Sequence, residues 1–182
     1  MPGNLTLAAL GAAVAADEID TVIVAAPDMQ GRLMGKRFHA DFLVNGGHHE
    51  THCCNYLLAV DMEMTTVPGY RSSSWERGYG DYVMKPDLAT LRRIPWLPGT
   101  ALCLADLLEH DTHAEVAVSP RAILKRQVAR AREMGFAPMM ATELEFYIFD
   151  NSYEELRDGG LARLRPVSGY NEDYHIFQTT KE

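Results

Sequence analysis

Two glutamates separated by one residue are the side chains of this sequence whose spacing points most directly to chemistry. Glu143 and Glu145 lie in residues 139–149, MMATELEFYIF, whose aromatic and aliphatic residues predict a buried strand. Residues i and i+2 of a strand point to the same face, so the two carboxylates project together, about 7 Å apart. Like charges at that spacing repel, and Mg²⁺ or Mn²⁺ would neutralise them through oxygen ligands.

The same spacing allows two other interpretations. A strand that faces solvent with alternating glutamates needs no ligand, and spacing alone favours this simpler interpretation. Two carboxylates can also act as general acid and base, as in glycosidases, but nothing in the sequence indicates a sugar cleft. If the pair does bind metal, its separation suits two neighbouring ions better than one.

Three histidines and two cysteines are crowded into residues 48–54. His48 and His52 are four residues apart, a spacing that lets two imidazoles share a metal ion on a helix. A structural zinc site needs four ligands at fixed spacing, however, and the adjacent Cys53 and Cys54 cannot both point inward. Small apolar packing residues and surface histidines explain the cluster better.

Composition excludes several classes of protein. The 182 residues carry a net charge of −8, which gives no general attraction for nucleic acid or anionic membranes. The three cysteines form no disulfide framework and suit a reducing cytoplasm. Residues 5–16 are apolar, but no basic residue precedes them, and they are too short to span a bilayer. We therefore predict a short helix there and a cytoplasmic protein.

The first part of the chain reads as a small α+β unit with several strands. Residues 19–26 predict a strand that a turn joins to a second strand over 32–38, and short helices are expected on either side of the Gly-Gly break at 46–47. Further extended segments are predicted over 81–86, 88–93 and 101–108. Before these segments, residues 67–80 form a long loop whose aromatic residues suggest partial burial at a subunit interface.

A helix over about 120–134 opens the second part, after a boundary near residues 109–118. Ser119 is a suitable N-cap, Pro120 suits the first helical position, and Gly135 is placed to end the helix. The basic residues of this helix are interpreted as its solvated face: Arg121, Lys125, Arg126, Arg130 and Arg132.

Residues 151–182 contain no apolar run that could complete a core. We therefore expect the second domain to be incomplete and the chain to be an N-terminal fragment.

The segment ATELEFYIF resembles a motif of the glutamine synthetase family, in which two glutamates alternate before a run of aromatic residues. Four other segments resemble that family in the correct order, which makes the resemblance specific: IDTVIVAAPDMQGRLMGKR, GYGDYVMKPDLATLRRIPW, SPRAILKRQVARAREMG and GYNEDYHIFQTTKE. Two short motifs within them carry the match, Lys85-Pro86-Asp87 and Pro120-Arg121. The last segment is typical of the branch that contains γ-glutamyl-amine ligases.

The resemblance implies a fold. Residues 1–112 would form the family's N-terminal β-grasp domain with a short leading helix. Residues 113–182 would form the opening helix and strand of an incomplete catalytic domain.

It also implies roles for particular residues. Glu143 and Glu145 match the first two glutamates of a site for two Mg²⁺ or Mn²⁺ ions. Tyr170 resembles the tyrosine that lines the ammonium or amine pocket. Ser73 and Trp75 lie in a loop similar to the one that reaches the neighbouring subunit's active site, so they would bind substrate. The remaining ligands and the nucleotide site would lie beyond Glu182.

In true glutamine synthetases an Asp precedes the serines of this loop and helps bind ammonium. Here residues 68–71 are Pro, Gly, Tyr and Arg. The departure favours an organic amine over ammonium.

The implied activity is ATP-dependent ligation of the glutamate γ-carboxylate to an amine or ammonia through γ-glutamyl phosphate. ATP would be a co-substrate, and the full-length protein would form a homo-oligomeric ring. The fragment alone is expected to be inactive. The alternative is a non-catalytic β-grasp interaction module or an inactive remnant of such an enzyme.

Overall fold

The computed structural model describes residues 3–76 and 78–168. The chain divides into two compact units between Pro138 and Met139. None of the described helices is long and apolar enough to cross a membrane.

A mixed sheet of six described strands forms the N-terminal unit. The strands are β1 (Thr21–Pro27), β2 (Leu33–His39), β3 (Thr51–Cys54), β4 (Asp81–Pro86), β5 (Arg92–Arg93) and β6 (Thr100–Glu109). Their order is β2-β1-β6-β4-β3, and β5 pairs with β6 outside this path. The pair β1–β6 is parallel, whereas the other pairs are antiparallel. The predicted α+β class is therefore confirmed.

Four α-helices accompany the described strands. They are α1 (Leu7–Ala15), α2 (Ala40–Phe42), α3 (Pro120–Glu133) and α4 (Tyr153–Gly159). A π-helical turn, Leu43–Gly47, continues α2, and short 3₁₀ turns cover Asn55–Leu58, Leu88–Thr90 and Leu161–Arg163. α1 begins where the Thr6 hydroxyl accepts a hydrogen bond from the Ala9 backbone N–H.

The core lies between α1, the α2 turn and the central strands. Val22 and Val24 of β1 and Ala101 and Cys103 of β6 are fully buried, and each pair follows the two-residue period of a strand. Leu10 of α1 packs in the same cluster. Alternation along β1 and β6 thus places the apolar side chains of both strands in one cluster with α1.

Most predicted elements of this unit are present. The helix over 5–16, the hairpin, the strands over 81–86 and 101–108 and the helix over 120–134 are confirmed. After the Gly-Gly break, residues 51–54 hydrogen-bond to β4 as an edge strand, and the helix expected there is reduced to the single 3₁₀ turn Asn55–Leu58. Residues 88–93 begin with a 3₁₀ turn before the short β5.

Local signals bound α3 at both ends. Pro120 lies in its first turn, where the missing N–H of proline costs no hydrogen bond because that position has no partner within the helix. Ser119 occupies the N-cap position, but its side chain makes no capping hydrogen bond. Gly135 ends the segment with φ of 84°, in the left-handed region that favours glycine.

The second unit does not contain the predicted strand over 139–149. A segment becomes a strand only when its backbone pairs with a neighbouring strand, and among the described residues none pairs with 139–147. Pairing begins only at the isolated bridge between Phe149 and Pro166, where the Val167 N–H donates to the Ile148 carbonyl at 3.0 Å. Helix α4 follows, and a capping box between Ser152 and Glu155 caps its N-terminus.

Candidate functional site

The predicted metal ligands, Glu143 and Glu145, are both exposed in the second unit. Carboxylate oxygens suit Mg²⁺ or Mn²⁺, so the donor chemistry fits these ions. Within residues 3–76 and 78–168, however, no group of three or more acidic, histidine or cysteine side chains is arranged to hold a metal ion. Each ion needs about six oxygen ligands, so this pair contributes only part of a site.

The predicted substrate-binding residues Ser73 and Trp75 lie in the N-terminal unit, in the long loop before β4. Ser73 is buried, and its Oγ has no hydrogen-bond partner among the described residues. Trp75 is 80% exposed and meets Tyr79 edge-on, with ring centroids 5.1 Å apart. The third predicted substrate-binding residue, Tyr170, lies outside the described residues.

Asn55 is hydrogen-bonded to this loop at two points, in its middle and at its end. Its backbone N–H donates to the Gly80 carbonyl, and its Nδ2 donates to the Ser72 carbonyl, each at 2.9 Å. The loop therefore has an ordered base, and Ser73 follows directly after one of the two attachment points.

The histidine and cysteine cluster does not form the helical pair considered from the sequence. His48 follows the π-helical turn and contacts the Leu43 carbonyl through Nδ1 at 2.8 Å, whereas His52 lies in β3. Burial raises the pKa of Cys53 to about 12, which keeps the thiol protonated. Metal binding by cysteine requires the thiolate, so Cys53 is suited to packing.

A polar groove of about 610 Å³ lies where β4 begins and β6 ends, and the sequence analysis missed it. Its lining residues come from three separate segments: Asn55, Tyr79, Gly80, Asp81, Tyr82, Glu109, His110, Asp111 and Thr112. The antiparallel pairing of Tyr82 with Glu109 brings two of these segments together. Only a correct β4–β6 register could have shown this site from sequence.

The titratable groups of the groove respond to their surroundings. The Asp111 carboxylate lies 3.0 Å from Nδ1 of His110, and this hydrogen bond raises the imidazole pKa above its ordinary value. Burial raises the pKa of the Tyr82 hydroxyl, which therefore remains protonated. The carboxylates of Asp81 and Glu109 stand exposed beside these groups.

A network of ion pairs joins α3 to the sheet. Arg121 Nε donates to Asp106 Oδ1 at 2.7 Å, and Arg121 Nη2 donates to Asp87 Oδ2. Lys125 Nζ contacts Asp106 Oδ2 at 2.9 Å and Glu115 Oε1 at 2.7 Å. The Arg121 side chain is only 20% exposed, so the interpretation of the basic residues as one solvated face is wrong for Arg121.

This network joins two of the sequence motifs. Asp87 is the last residue of the Lys85-Pro86-Asp87 motif, and Arg121 belongs to the Pro120-Arg121 motif at the start of α3. Positions 34 residues apart in the sequence therefore meet through a charged hydrogen bond.

Comparisons with known proteins agree with these motifs. Residues 117–180 match the family model of the glutamine synthetase catalytic domain. The γ-glutamylethanolamide synthetase GlnA4 of Streptomyces coelicolor is 51% identical over 171 residues, which cover 93% of this chain and 37% of that protein. A glutamate–isopropylamine ligase of a Pseudomonas species is 31% identical over 159 residues, 87% of this chain and 34% of that protein. This chain thus spans about a third of the length of these curated relatives.

Solved structures show the same fold at lower identity. A GmaS–ADP complex superposes with a TM-score of 0.51 at 21% identity, over 69% of this chain and 26% of the other. A novel glutamine synthase homologue superposes with a TM-score of 0.54 at 19% identity, over 64% and 27%. The ordered motifs, the matched family model and these relatives together show that the chain belongs to the glutamine synthetase family.

Proposed function

We propose that this chain is part of an ATP-dependent ligase that joins the glutamate γ-carboxylate to an organic amine. The observation that carries the proposal is the 51% identity with a γ-glutamylethanolamide synthetase. A second relative, at 31% identity, is also named for ligating glutamate to an amine.

The proposed reaction has two steps. A γ-carboxylate oxygen of glutamate attacks the terminal phosphorus of ATP, and ADP leaves. The amine nitrogen then attacks the acyl carbon of γ-glutamyl phosphate, phosphate leaves, and the nitrogen loses a proton to a base. Positioning and charge neutralisation dominate catalysis of phosphoryl transfer.

Glu143 and Glu145 are the residues that would hold Mg²⁺ or Mn²⁺ in this enzyme. Bound ions would supply charge neutralisation at the transferring phosphoryl group. The two side chains are exposed, so their carboxylates can bind metal ions whose remaining ligands come from other parts of the protein. Removing either one should therefore abolish turnover and leave the fold of the N-terminal unit unchanged.

The organisation of the protein forms part of the proposal. We assign residues 1–112 to a β-grasp domain, supported by the mixed sheet and the packing of α1 on it. Residues 113–182 would begin the catalytic domain, supported by the family match that starts at residue 117. We also propose a homo-oligomeric ring, in which the loop carrying Ser73 and Trp75 contributes to substrate binding. Tyr170 would line the amine pocket, and the cytoplasmic location stays a prediction.

The amine preference follows from the composition of the loop. Residues 67–75 contain no acidic side chain that could favour a small cation. Tyr70 and Trp75 are exposed there and offer apolar and cation–π contacts to an alkylammonium ion. We expect the enzyme to use an organic amine better than ammonium by at least about tenfold in kcat/KM, equivalent to about 1.4 kcal/mol.

The test is a phosphate-release assay on the full-length protein with glutamate, ATP and one amine at a time. Ethanolamine, isopropylamine, putrescine and ammonium are compared through their kcat/KM values. A clear preference for ammonium would contradict the amine assignment and would direct attention to Glu76, the acidic residue that follows the loop serines. No glutamate-dependent turnover with any amine would favour the alternative, a non-catalytic module or inactive remnant.

A second assay tests the metal assignment. Glu143→Ala and Glu145→Ala are compared with Glu154→Ala, an exposed glutamate of α4 in the same unit. We expect the first two variants to lose turnover at saturating Mg²⁺ and the third to retain it. Near-normal rates in either of the first two variants would remove them from the metal site.

A further inference from the structure

A buried ion pair lies in the turn between β1 and β2. The side chain of Asp28 is fully buried, and its Oδ2 accepts a hydrogen bond from Arg32 Nε at 2.7 Å. Its Oδ1 accepts from the backbone N–H groups of Gln30 and Arg32, at 2.9 and 2.8 Å. Asp28 therefore orients the Arg32 guanidinium and leaves its two terminal nitrogens to bind other acceptors.

The side chains of this turn hold a second segment of the chain. Arg32 Nη1 donates to the Met62 carbonyl at 2.7 Å, and Arg32 Nη2 donates to the Asp61 carbonyl at 2.9 Å. Gln30 Nε2 donates to the Val60 carbonyl at 2.9 Å. One turn thus binds three successive carbonyls that lie about thirty residues later in the sequence.

The segment held in this way is one limb of a short hairpin. Val60 forms an isolated bridge with Thr66. The Val67 N–H donates to the Ala59 carbonyl at 2.8 Å, which closes the base of the hairpin. The side chains of the β1–β2 turn therefore fix the point at which the long loop over residues 67–80 begins.

Asn55 holds the same loop a few residues further along the chain. It is only 8% exposed, and its Nδ2 donates to the Ser72 carbonyl at 2.9 Å. Residues 68–71 are therefore attached at both ends, by side chains from two separate segments. Within this span Tyr70 is 40% exposed, and Gly69 has φ of 95°, in the left-handed region that favours glycine. A short segment held at both ends presents its aromatic ring in a restricted set of positions.

We propose that Arg32 and Asn55 are positioning residues that fix the two ends of residues 68–71 and thereby set where Tyr70 meets the amine. The inference rests on the proposed function, in which Tyr70 contacts an alkylammonium ion. Neither positioning residue needs to touch the substrate, since each acts through the backbone of the loop. Loss of either attachment should weaken amine binding and leave ATP binding unchanged, because an unfixed ring must be ordered when the amine binds.

The test measures the kinetics of the full-length enzyme with its preferred organic amine. Arg32→Gln and Asn55→Ala should each raise the amine KM at least about fivefold and leave the ATP KM unchanged. The matched controls are Arg37→Gln, at an exposed arginine of β2, and Asn45→Ala, at an exposed asparagine of the π-helical turn. Both controls should keep the parent's amine KM. A fall in kcat at constant amine KM in the first two variants would indicate a merely structural role and overturn the proposal.

Tyr70→Ala tests whether the two residues act through this ring. In the Tyr70→Ala background, Arg32→Gln and Asn55→Ala should each raise the amine KM by less than about twofold, because the ring that they position is gone. Effects of full size in this background would overturn the role assigned to Tyr70.

A double variant guards the test against a loss of folding. Arg32→Gln leaves the buried Asp28 carboxylate without its guanidinium, whereas Asp28→Asn/Arg32→Gln removes both charges together. The double variant still lacks the donors to residues 61 and 62, so it should match Arg32→Gln in amine KM. Circular dichroism checks that it is folded, and a parental amine KM in the folded double variant would overturn the proposal.

Hydrogen exchange of the full-length protein tests the attachment without ligase activity. In Arg32→Gln, residues 60–67 should exchange at least about tenfold faster than in the parent, whereas β6 and the Arg37→Gln control should be unchanged. Unchanged exchange of residues 60–67 would overturn the inference. Absence of turnover in the parent would instead overturn the proposed function, and hydrogen exchange would still decide whether Arg32 holds the hairpin.

Discussion

Replacing Arg121 with glutamine tests how α3 is attached to the sheet. The substitution removes a guanidinium that donates to Asp106 at 2.7 Å and also to Asp87. Glutamine keeps much of the aliphatic stem, so the change is mainly one of charge and hydrogen bonding. We expect a lower free energy of unfolding for the N-terminal unit.

The burial of the pair sets the magnitude. A fully exposed ion pair contributes about 0–1 kcal/mol, whereas breaking a buried one costs about 3–5 kcal/mol. The side chains of Arg121, Asp106 and Asp87 are 20%, 21% and 30% exposed, which lies between these limits. Lys125 still contacts Asp106 after the substitution, but Asp87 loses its ion-pair partner and keeps only the Ala89 backbone N–H as a donor. We therefore expect a loss of about 2–3 kcal/mol.

Urea unfolding followed by far-UV circular dichroism measures this loss, with Arg130→Gln as the matched control. Arg130 lies in the last turn of the same helix and is exposed, so its replacement should cost only about 0.3–1 kcal/mol. Hydrogen exchange of the peptide covering α3 should show faster exchange in Arg121→Gln than in the control.

A double-mutant cycle with Asp87→Asn isolates the pair. Because Asp87→Asn removes the charge that has lost its ion-pair partner, the double variant should lose less than the sum of the single variants, with a coupling of about 1–2 kcal/mol. Additive losses, or a loss in Arg121→Gln no larger than the control's, would show that the ion pair does not hold α3 in place.

Three further predictions concern single groups. Burial raises the pKa of Cys53 to about 12, so iodoacetamide should modify Cys54 first in the native chain, and equal rates by peptide mass spectrometry would contradict this. The Asp111 hydrogen bond raises the His110 pKa, so Asp111→Asn should lower it in an NMR titration. The stabilisation by protonated His110 is fully present below the unfolded-state pKa and disappears as pH rises through the folded-state pKa. Gly135→Ala should lower the free energy of unfolding by about 1–2 kcal/mol through its φ of 84° alone, since no atom lies near the added Cβ; a neutral result by urea unfolding would contradict this.

Local patterns were sufficient to predict much of the N-terminal unit. Val22 and Val24 alternate along β1, and the turn over residues 27–31, which contains Pro, Asp and Gly, brings β2 back beside it. Pro120 and Gly135 bound α3. These signals act within a few residues, and the structure preserves them because the core is built on the same alternation.

The misassigned segment at β3 shows what local patterns miss. The four-residue spacing of His48 and His52 suggested one helical face, but the chain pairs residues 51–54 with β4, thirty positions later in the sequence. Pairing buries Thr51 and Cys53 on alternate positions of an edge strand. The β4–β6 register likewise assembles the polar groove, so neither feature was visible in a short window of sequence.

The segment containing Glu143 and Glu145 shows how a candidate metal site depends on pairing that its own sequence cannot supply. Leu144, Phe146 and Ile148 alternate with the glutamates and are 81%, 75% and 44% exposed. Burying each would contribute about 1.5–3 kcal/mol, so the three together could supply several kcal/mol once the segment joins a sheet whose face is covered by a packed element. The same pairing would turn the intervening carboxylates toward the opposite face of the sheet. Strand formation and alignment of the two glutamates are therefore one event, and metal binding at this pair should strengthen only when a partner covers its apolar face.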